Sequence, residues 1–267
     1  MAGSVITGSR HSIDSGGSAV VFCLFFVLLF WLAHALGYFL HEFGHSFTAW
    51  ISGYKANPLA LTYGHLTPAN LLIQSDVEEN VEYGPIFAAG KGTLAALIAG
   101  AGVVANIVLY LGSRKLYSIS KRRDWKPAGL FCFLFCLMNA GNFIDYVPVR
   151  TFTTHGDMVT LERGLQISPW WVLVVAGIPF AWAIWRFLHI LLPDARYFLF
   201  PESQVRQIAL VVTSCFMMFG YYGSSGLHGY GEMSRRISLF SVLVMFPAAL
   251  ILCWPRKRNM KQTLVAE

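Results

Sequence analysis

Residues 41–45 form an H-E-x-x-H motif, His41-Glu42-Phe43-Gly44-His45, at the end of an apolar run. On a helix the two histidines would lie one turn apart on the same face, where both imidazoles can bind one zinc ion. The glutamate between them would be placed to accept a proton from a water activated by that zinc. The motif therefore predicts metal-assisted hydrolysis, with His41 and His45 as metal ligands and Glu42 as the general base.

The composition places this chemistry in or beside a membrane. Of the 267 residues, 55% are hydrophobic and 13% are charged, whereas a soluble domain carries about 25% charged residues. Ionisable side chains inside a bilayer are costly and usually serve a function. The sequence predicts an all-α polytopic membrane protein, with the lipid bilayer as its surroundings. We expect six transmembrane helices, at about 19–48, 92–112, 127–144, 169–193, 205–223 and 236–254.

Basic residues flank the predicted spans and give the chain a net charge of +6. They form two groups, after the second span and after the sixth: Arg114, Lys115, Lys121, Arg122, Arg123 and Lys126, then Arg256, Lys257, Arg258 and Lys261. Basic residues beside apolar helices mark the cytosolic side of a membrane. This makes nucleic-acid binding a poor interpretation, and it predicts a cytosolic N-terminus. The first 18 residues are predicted to be disordered, and residues 255–267 to form a basic tail.

The connection between the first two spans, residues 54–91, contains short apolar pieces at 59–63 and 70–74. Prolines and glycines separate these pieces, which favours a strand-like, β-hairpin-like insertion over another crossing. Its acidic residues are expected to be solvated loop carboxylates: Asp76, Glu78, Glu79 and Glu82. An edge strand within 59–75 could pair with an unwound substrate segment.

A catalytic zinc site needs a third protein ligand besides the two histidines. His34 lies nearly two turns before His41, too far to complete the site, so it is predicted to be a packed or hydrogen-bonded core residue. The polar segment 142–167, which follows the third span, offers three candidates: Asp145, His155 and Asp157. For Asp145 the alternative role is an ion pair with Arg150.

Three motifs in order resemble those of the site-2 protease family of intramembrane zinc metalloproteases. Residues 41–53 are similar to the family's helix with H-E-x-G-H, which is followed by small and apolar residues and a glycine. Residues 102–106 are similar to its G-x-x-x-N segment. Residues 142–157 resemble its N-x-x-P…D-G segment, although the asparagine-to-proline spacing is longer here and the order of Gly156 and Asp157 is reversed. The resemblance covers about residues 30–160.

The resemblance implies that His41, His45 and Asp157 hold the zinc. It also implies that Asn106 and Asn142 line the path of the substrate. The catalytic core would then be the three spans of residues 19–160, followed by accessory transmembrane helices at 161–254.

The function implied by this resemblance is that of a zinc endopeptidase acting on membrane-anchored proteins or peptides. Two alternatives stay open. One is a different membrane zinc hydrolase, and the other is a catalytically silent relative that binds transmembrane helices as a chaperone or assembly factor. The intact Glu42 counts against the silent relative, since a pure binding protein needs no base between the histidines.

Overall fold

The computed structural model describes residues 16–255 of the chain. The predicted disordered segment and basic tail therefore lie outside the described residues, apart from 16–18, which begin the first helix, and residue 255. Over the described range the chain is helical and forms no strand. The α-helices are α1 (Gly16–Ile51), α2 (Pro68–Ile73), α3 (Tyr83–Ala88), α4 (Gly92–Arg122), α5 (Lys126–Ile144), α6 (Asp157–Leu165), α7 (Pro169–Arg186), α8 (Leu192–Leu199), α9 (Gln204–Cys215), α10 (Glu232–Phe240) and α11 (Phe246–Cys253). Tighter or wider helical turns continue several of them, at Asp145–Val149, Arg150–Phe152, Phe187–Leu191, Phe216–Tyr221, Tyr222–Leu227 and Ser241–Met245.

Within residues 16–255, six helical stretches are long and apolar enough to cross a membrane, which confirms the predicted number. They are Ala19–Ile51, Gly92–Arg122, Lys126–Phe152, Pro169–Leu199, Gln204–Leu227 and Glu232–Cys253. The third is the central one, since 78% of its most apolar window is buried against other helices. The corresponding share is 17% for the first and for the sixth, whose apolar side chains mostly face outward. Residues from other helices that complete a site on α1 must therefore contact the inward face of α1.

The second crossing helix is longer than predicted, because α4 continues from about residue 112 to Arg122. Most of the basic residues expected in a connection lie on this extension, and only residues 123–125 separate it from α5. Its Tyr117 donates a hydrogen bond to Oδ2 of Asp194 at 2.9 Å, and Lys121 forms an ion pair with the same carboxylate. These contacts hold the extension against α8.

Glycines allow close approach among the helices that carry the predicted motifs. A Cβ on Gly44 of α1 would lie 2.9 Å from the carbonyl oxygen of Ala101 in α4. A Cβ on Gly164 of α6 would lie 2.8 Å from the Cβ of Ala96, also in α4. Larger side chains at either glycine would force the backbones apart. Thus α4 forms a common wall against which both α1 and α6 pack.

Residues 54–91 fold back along α1 rather than forming the predicted hairpin. Their two arms meet in a single antiparallel bridge, between Thr62 and Glu78, with α2 at the tip of the loop. There, Nε1 of Trp31 donates a hydrogen bond to the carbonyl oxygen of Leu71 at 2.9 Å. Trp31 lies twenty residues before the end of α1, or about 30 Å along the helix axis. The loop therefore reaches far along the first crossing helix, and the prediction of a β-hairpin is wrong.

The side chain of Asn70 explains why strands do not form in this loop. Its Nδ2 donates to the carbonyl oxygens of Tyr63 and His65, both at 2.8 Å, and its Oδ1 accepts from the backbone N–H of Asp76 at 3.1 Å. These bonds use backbone groups that a strand ladder would need. If the loop lies within a bilayer, these internal partners replace the hydrogen bonds that water would otherwise supply. The predicted edge strand within 59–75 is accordingly missing.

Candidate metal centre

His41, His45 and Asp157 meet between α1 and the first turn of α6, with their potential ligand atoms facing one another. Nε2 of His41 lies 3.1 Å from Nε2 of His45. Oδ2 of Asp157 lies 3.3 Å from Nε2 of His45 and 3.7 Å from Nε2 of His41. Ligand atoms about 2.0–2.1 Å from one tetrahedral zinc are about 3.4 Å apart. The three separations bracket this value, so the donor set fits one small divalent cation.

Gly102 of α4 provides the space that the two imidazoles occupy. A Cβ at this position would overlap ring atoms of both His41 and His45. The second predicted motif therefore contributes more than a close helix contact. Its glycine is required where a helix backbone lies directly against the two candidate ligands.

Both imidazoles are held through Nδ1. Nδ1 of His45 lies 2.7 Å from the carbonyl oxygen of Ile98, so it donates a hydrogen bond and leaves the Nε2 lone pair free. Nδ1 of His41 lies 2.9 Å from the side-chain amide of Asn106. When the amide nitrogen faces the ring, Oδ1 of Asn106 is buried and has no hydrogen-bond partner within residues 16–255. With the amide turned by 180°, Oδ1 accepts a hydrogen bond from Nδ1 of His41. Each histidine then presents Nε2 to a metal, as metal-bound histidines require.

Asp157 is brought to the histidines by two changes of backbone direction, one near the end of the third apolar stretch and one just before α6. Val147 leaves helical backbone geometry (φ −138°, ψ 108°), and Gly156 adopts φ +92° immediately before α6 begins at Asp157. Burial alone would raise the pKa of Asp157, but the neighbouring His45 and His41 hold that pKa well below its usual range. The side chain is therefore a carboxylate, the form that binds metals.

Comparison with protein-family models, with curated proteins and with solved structures found no match to this chain. The likeness to the site-2 protease family therefore rests on the three sequence motifs. The chemistry of the site is interpreted below from its own residues and distances.

Two of the three candidates for the third metal ligand lie outside the cluster formed by His41, His45 and Asp157. Asp145 accepts a hydrogen bond from Nε of Arg150 at 3.0 Å, which is the ion pair that its alternative interpretation predicts, and another from the hydroxyl of Ser225. His155 is exposed, and its ring stacks on Tyr230 with centroids 4.9 Å apart. Among the three, only Asp157 faces the histidines.

His34 is a hydrogen-bonded core residue, as predicted. Its Nδ1 lies 2.9 Å from Oε1 of Gln74, in the loop that folds back along α1. Its ring also packs edge-on against Tyr221, with centroids 5.6 Å apart. His34 therefore contacts both the loop, through Gln74, and the helices after residue 160, through Tyr221. It does not belong to the candidate metal cluster of His41, His45 and Asp157.

A polar cavity of about 720 Å³ opens onto the cluster. Glu42 lies on its wall with only 7% of its surface exposed, beside the two histidines. Asn142 also lines the cavity, and its place on a substrate path stays a prediction. Asn106 does not line it, because its side chain is fully buried and contacts His41 instead.

Two residues that the sequence did not identify as functional belong to the site. The hydroxyl of Tyr146 lies 2.7 Å from Nε2 of His41 and 3.1 Å from Oδ2 of Asp157. Glu79, expected to be a solvated loop carboxylate, is half-buried on the wall of the cavity that Glu42 also lines. Tyr146 lies inside the third motif but at none of its defining positions. The position of Glu79 depends on a loop fold that the apolar pattern did not reveal.

Proposed function

We propose that this protein is an intramembrane zinc endopeptidase that hydrolyses peptide bonds of membrane-anchored substrates. One observation carries the proposal: His41, His45 and Asp157 meet at separations suited to zinc, and His41 and Asp157 line a polar cavity that Glu42 also lines. Two histidines and one carboxylate are a ligand set of catalytic zinc sites, which keep one position open.

The residues around His41, His45 and Asp157 have separate roles in peptide hydrolysis. A bound zinc ion would polarise the substrate carbonyl and make a hydroxide nucleophile accessible at neutral pH. Glu42 accepts the proton of the attacking water and delivers it to the leaving amine. Asn106 and the backbone of Ile98 hold the two imidazoles, so that they need not reorganise during the reaction.

The depth of the site supports a membrane-anchored substrate. His41 lies ten residues before the end of α1, or about 15 Å along the axis of this crossing helix. A transmembrane substrate hides its amides in its own helical hydrogen bonds, so a segment must unwind before it can enter the polar cavity. The cavity walls offer that segment polar side chains in place of water, among them Asn142 and Tyr38.

The experiment begins with purified protein in detergent, whose zinc content is measured by mass spectrometry. The protein is then placed in liposomes with a panel of single-span peptides, and products are identified by mass. We expect Glu42→Gln to keep zinc and lose cleavage, and Asp157→Ala to lose zinc. Glu82→Gln, which changes an exposed carboxylate away from the cluster, is the matched control and should keep both.

Stoichiometric zinc without any Glu42-dependent cleavage across the panel would contradict the peptidase and favour the silent, helix-binding relative. Absence of zinc from a folded wild-type protein, even after incubation with excess metal, would contradict the metal site itself. Cleavage of soluble peptides at the rate of membrane-spanning ones would contradict the substrate class.

A further inference from the structure

We propose that the hydroxyl of Tyr146 is a fourth donor to the metal in the resting protein. It must withdraw before water or a substrate carbonyl can take that position. The inference rests on the proposed metal site and adds a residue to it. Its starting point is the pair of short contacts, 2.7 Å to Nε2 of His41 and 3.1 Å to Oδ2 of Asp157.

The atoms that Tyr146 contacts are the metal-facing atoms of their side chains. A hydroxyl that only supported a ligand from outside would contact the far atom, as Asn106 contacts Nδ1 of His41. Tyr146 instead lies beside the donor atoms of two ligands from different elements. Its distances to them, 2.7 and 3.1 Å, are both shorter than the separation of about 3.4 Å between ligands of one tetrahedral zinc, so the oxygen must move outward by several tenths of an ångström when the metal binds. The hydroxyl therefore lies on the same side as the metal, within reach of a fourth corner.

Packing holds the tyrosine ring in this place. The side chain is 5% exposed, and its ring lies tilted against that of His41 with centroids 4.9 Å apart. The guanidinium of Arg150 lies over the ring at 5.0 Å from its centroid, a favourable contact between a cation and an aromatic face. The hydroxyl of Thr151 donates to the carbonyl oxygen of Tyr146 at 3.1 Å.

The cavity beside Tyr146 provides space into which its hydroxyl can move. Tyr146 lines the cavity of about 720 Å³, so rotation of its side chain can move the hydroxyl away from the ligands without opening the helix bundle. The next residue, Val147, is the one that leaves helical geometry. A hydroxyl in the fourth position limits hydrolysis to the moments when an incoming group displaces it.

The first test replaces zinc with Cu²⁺ and compares the wild type with Tyr146→Phe. A tyrosine oxygen bound to Cu²⁺ as the phenolate, with its proton released to solvent, gives a charge-transfer absorption band in the visible range. We expect this band in the wild type and its loss in Y146F. Tyr38→Phe is the matched control, because Tyr38 lines the same cavity but donates to the carbonyl oxygen of Val77 at 3.4 Å. It should keep the band.

The second test titrates azide into the Co²⁺-loaded protein and follows the visible spectrum of the cobalt. Azide must displace the hydroxyl in the wild type, so we expect it to bind about tenfold more tightly to Tyr146→Phe. A tyrosine that instead donates a hydrogen bond to a metal-bound ligand would give weaker azide binding in the variant, and this would overturn the inference. Unchanged azide affinity would overturn it as well.

The two proposals fail in different ways. A wild-type protein that binds neither Cu²⁺ nor Co²⁺ would overturn the metal site and the proposed function with it. A wild type that binds both metals with the same spectra and azide affinity as Y146F would overturn only the role of Tyr146.

Discussion

The side-chain amide of Asn106 lies 2.9 Å from Nδ1 of His41, and both side chains are buried. Because the amide oxygen has no other partner, this one contact fixes which ring nitrogen of His41 carries the proton. The nitrogen left without a proton is Nε2, which faces His45 and Asp157. The second motif thus orients a ligand on the neighbouring helix, whereas the sequence assigned its asparagine to the substrate path.

Removing the Asn106 amide should weaken metal binding without removing a ligand. For Asn106→Ala we expect a loss of zinc affinity of about 10–100-fold, the usual cost of losing an outer-shell partner. Asn106→Asp keeps an acceptor oxygen and should lose less. Competition with a chromophoric chelator measures the affinities. Asn139→Ala is the matched control, because Asn139 is also fully buried but donates within its own helix. Equal zinc affinity in Asn106→Ala and the wild type would contradict the role of Asn106.

A methyl group at Gly102 should expel the metal. The added Cβ would overlap the rings of His41 and His45, so Gly102→Ala must displace at least one imidazole. We expect zinc content well below stoichiometric, with helix content by circular dichroism unchanged. Gly112→Ala, in the same helix, places its methyl in open space and should keep full zinc content. Full zinc occupancy in Gly102→Ala would show that the rings can move without loss of the site.

The sequence alone predicts the six apolar helices and the two histidines of α1 that form one side of the site. Hydropathy identifies the six spans because lipid imposes length and composition directly. The one-turn spacing of His41 and His45 holds on any helix. The third ligand could not be derived in the same way, because Asp157 follows a non-helical segment whose path depends on the breaks at Val147 and Gly156.

The loop between the first two spans was predicted wrongly for a physical reason. Its short apolar pieces look the same whether they pair as strands or pack against a helix and lipid. The side chain of Asn70 forms hydrogen bonds with backbone groups on both arms of the loop, and those groups are then not available for pairing between strands. Neither the position of Leu71 beside Trp31 nor that of Glu79 on the cavity wall can be predicted without that fold.

Lys55 should control the order of this loop. Its Nζ donates to the carbonyl oxygens of Ala60, Glu79 and Asn80 at 2.7–2.9 Å, which ties the two arms together at their base. Lys55→Met keeps the apolar stem and removes all three bonds. We expect faster hydrogen–deuterium exchange over residues 60–80. We also expect slower peptide cleavage, since the arm that carries Glu79 would no longer be fixed on the cavity wall.

The control for this change is Lys115→Met, which removes an exposed lysine from the extension of α4. It alters the net charge equally and should leave both exchange and cleavage unchanged. If Lys55→Met exchanged at the wild-type rate, the loop would be held by its contacts with α1 alone.

Glu162 should make the protein less stable as the pH rises towards neutrality. The side chain is 8% exposed, and its Oε1 has no hydrogen-bond partner among the described residues. Burial raises its pKa from the ordinary 4.5 to about 7. A carboxyl with a raised folded-state pKa favours folding while it is protonated. Its contribution is complete below about pH 4.5 and is lost as the pH rises through about 7, on the order of 1–3 kcal/mol in all.

Thermal unfolding in detergent between pH 4.5 and 8 measures this contribution. We expect Glu162→Gln to resemble the wild type at the acidic end and to be more stable at the neutral end, because the amide has no proton to lose. Other groups titrate in the same range, so the quantity that matters is the difference between wild type and variant at each pH. Glu202→Gln, which changes an exposed carboxylate, should show no such difference. A wild-type curve parallel to that of Glu162→Gln would mean that water or a cation reaches the buried carboxylate and satisfies its charge.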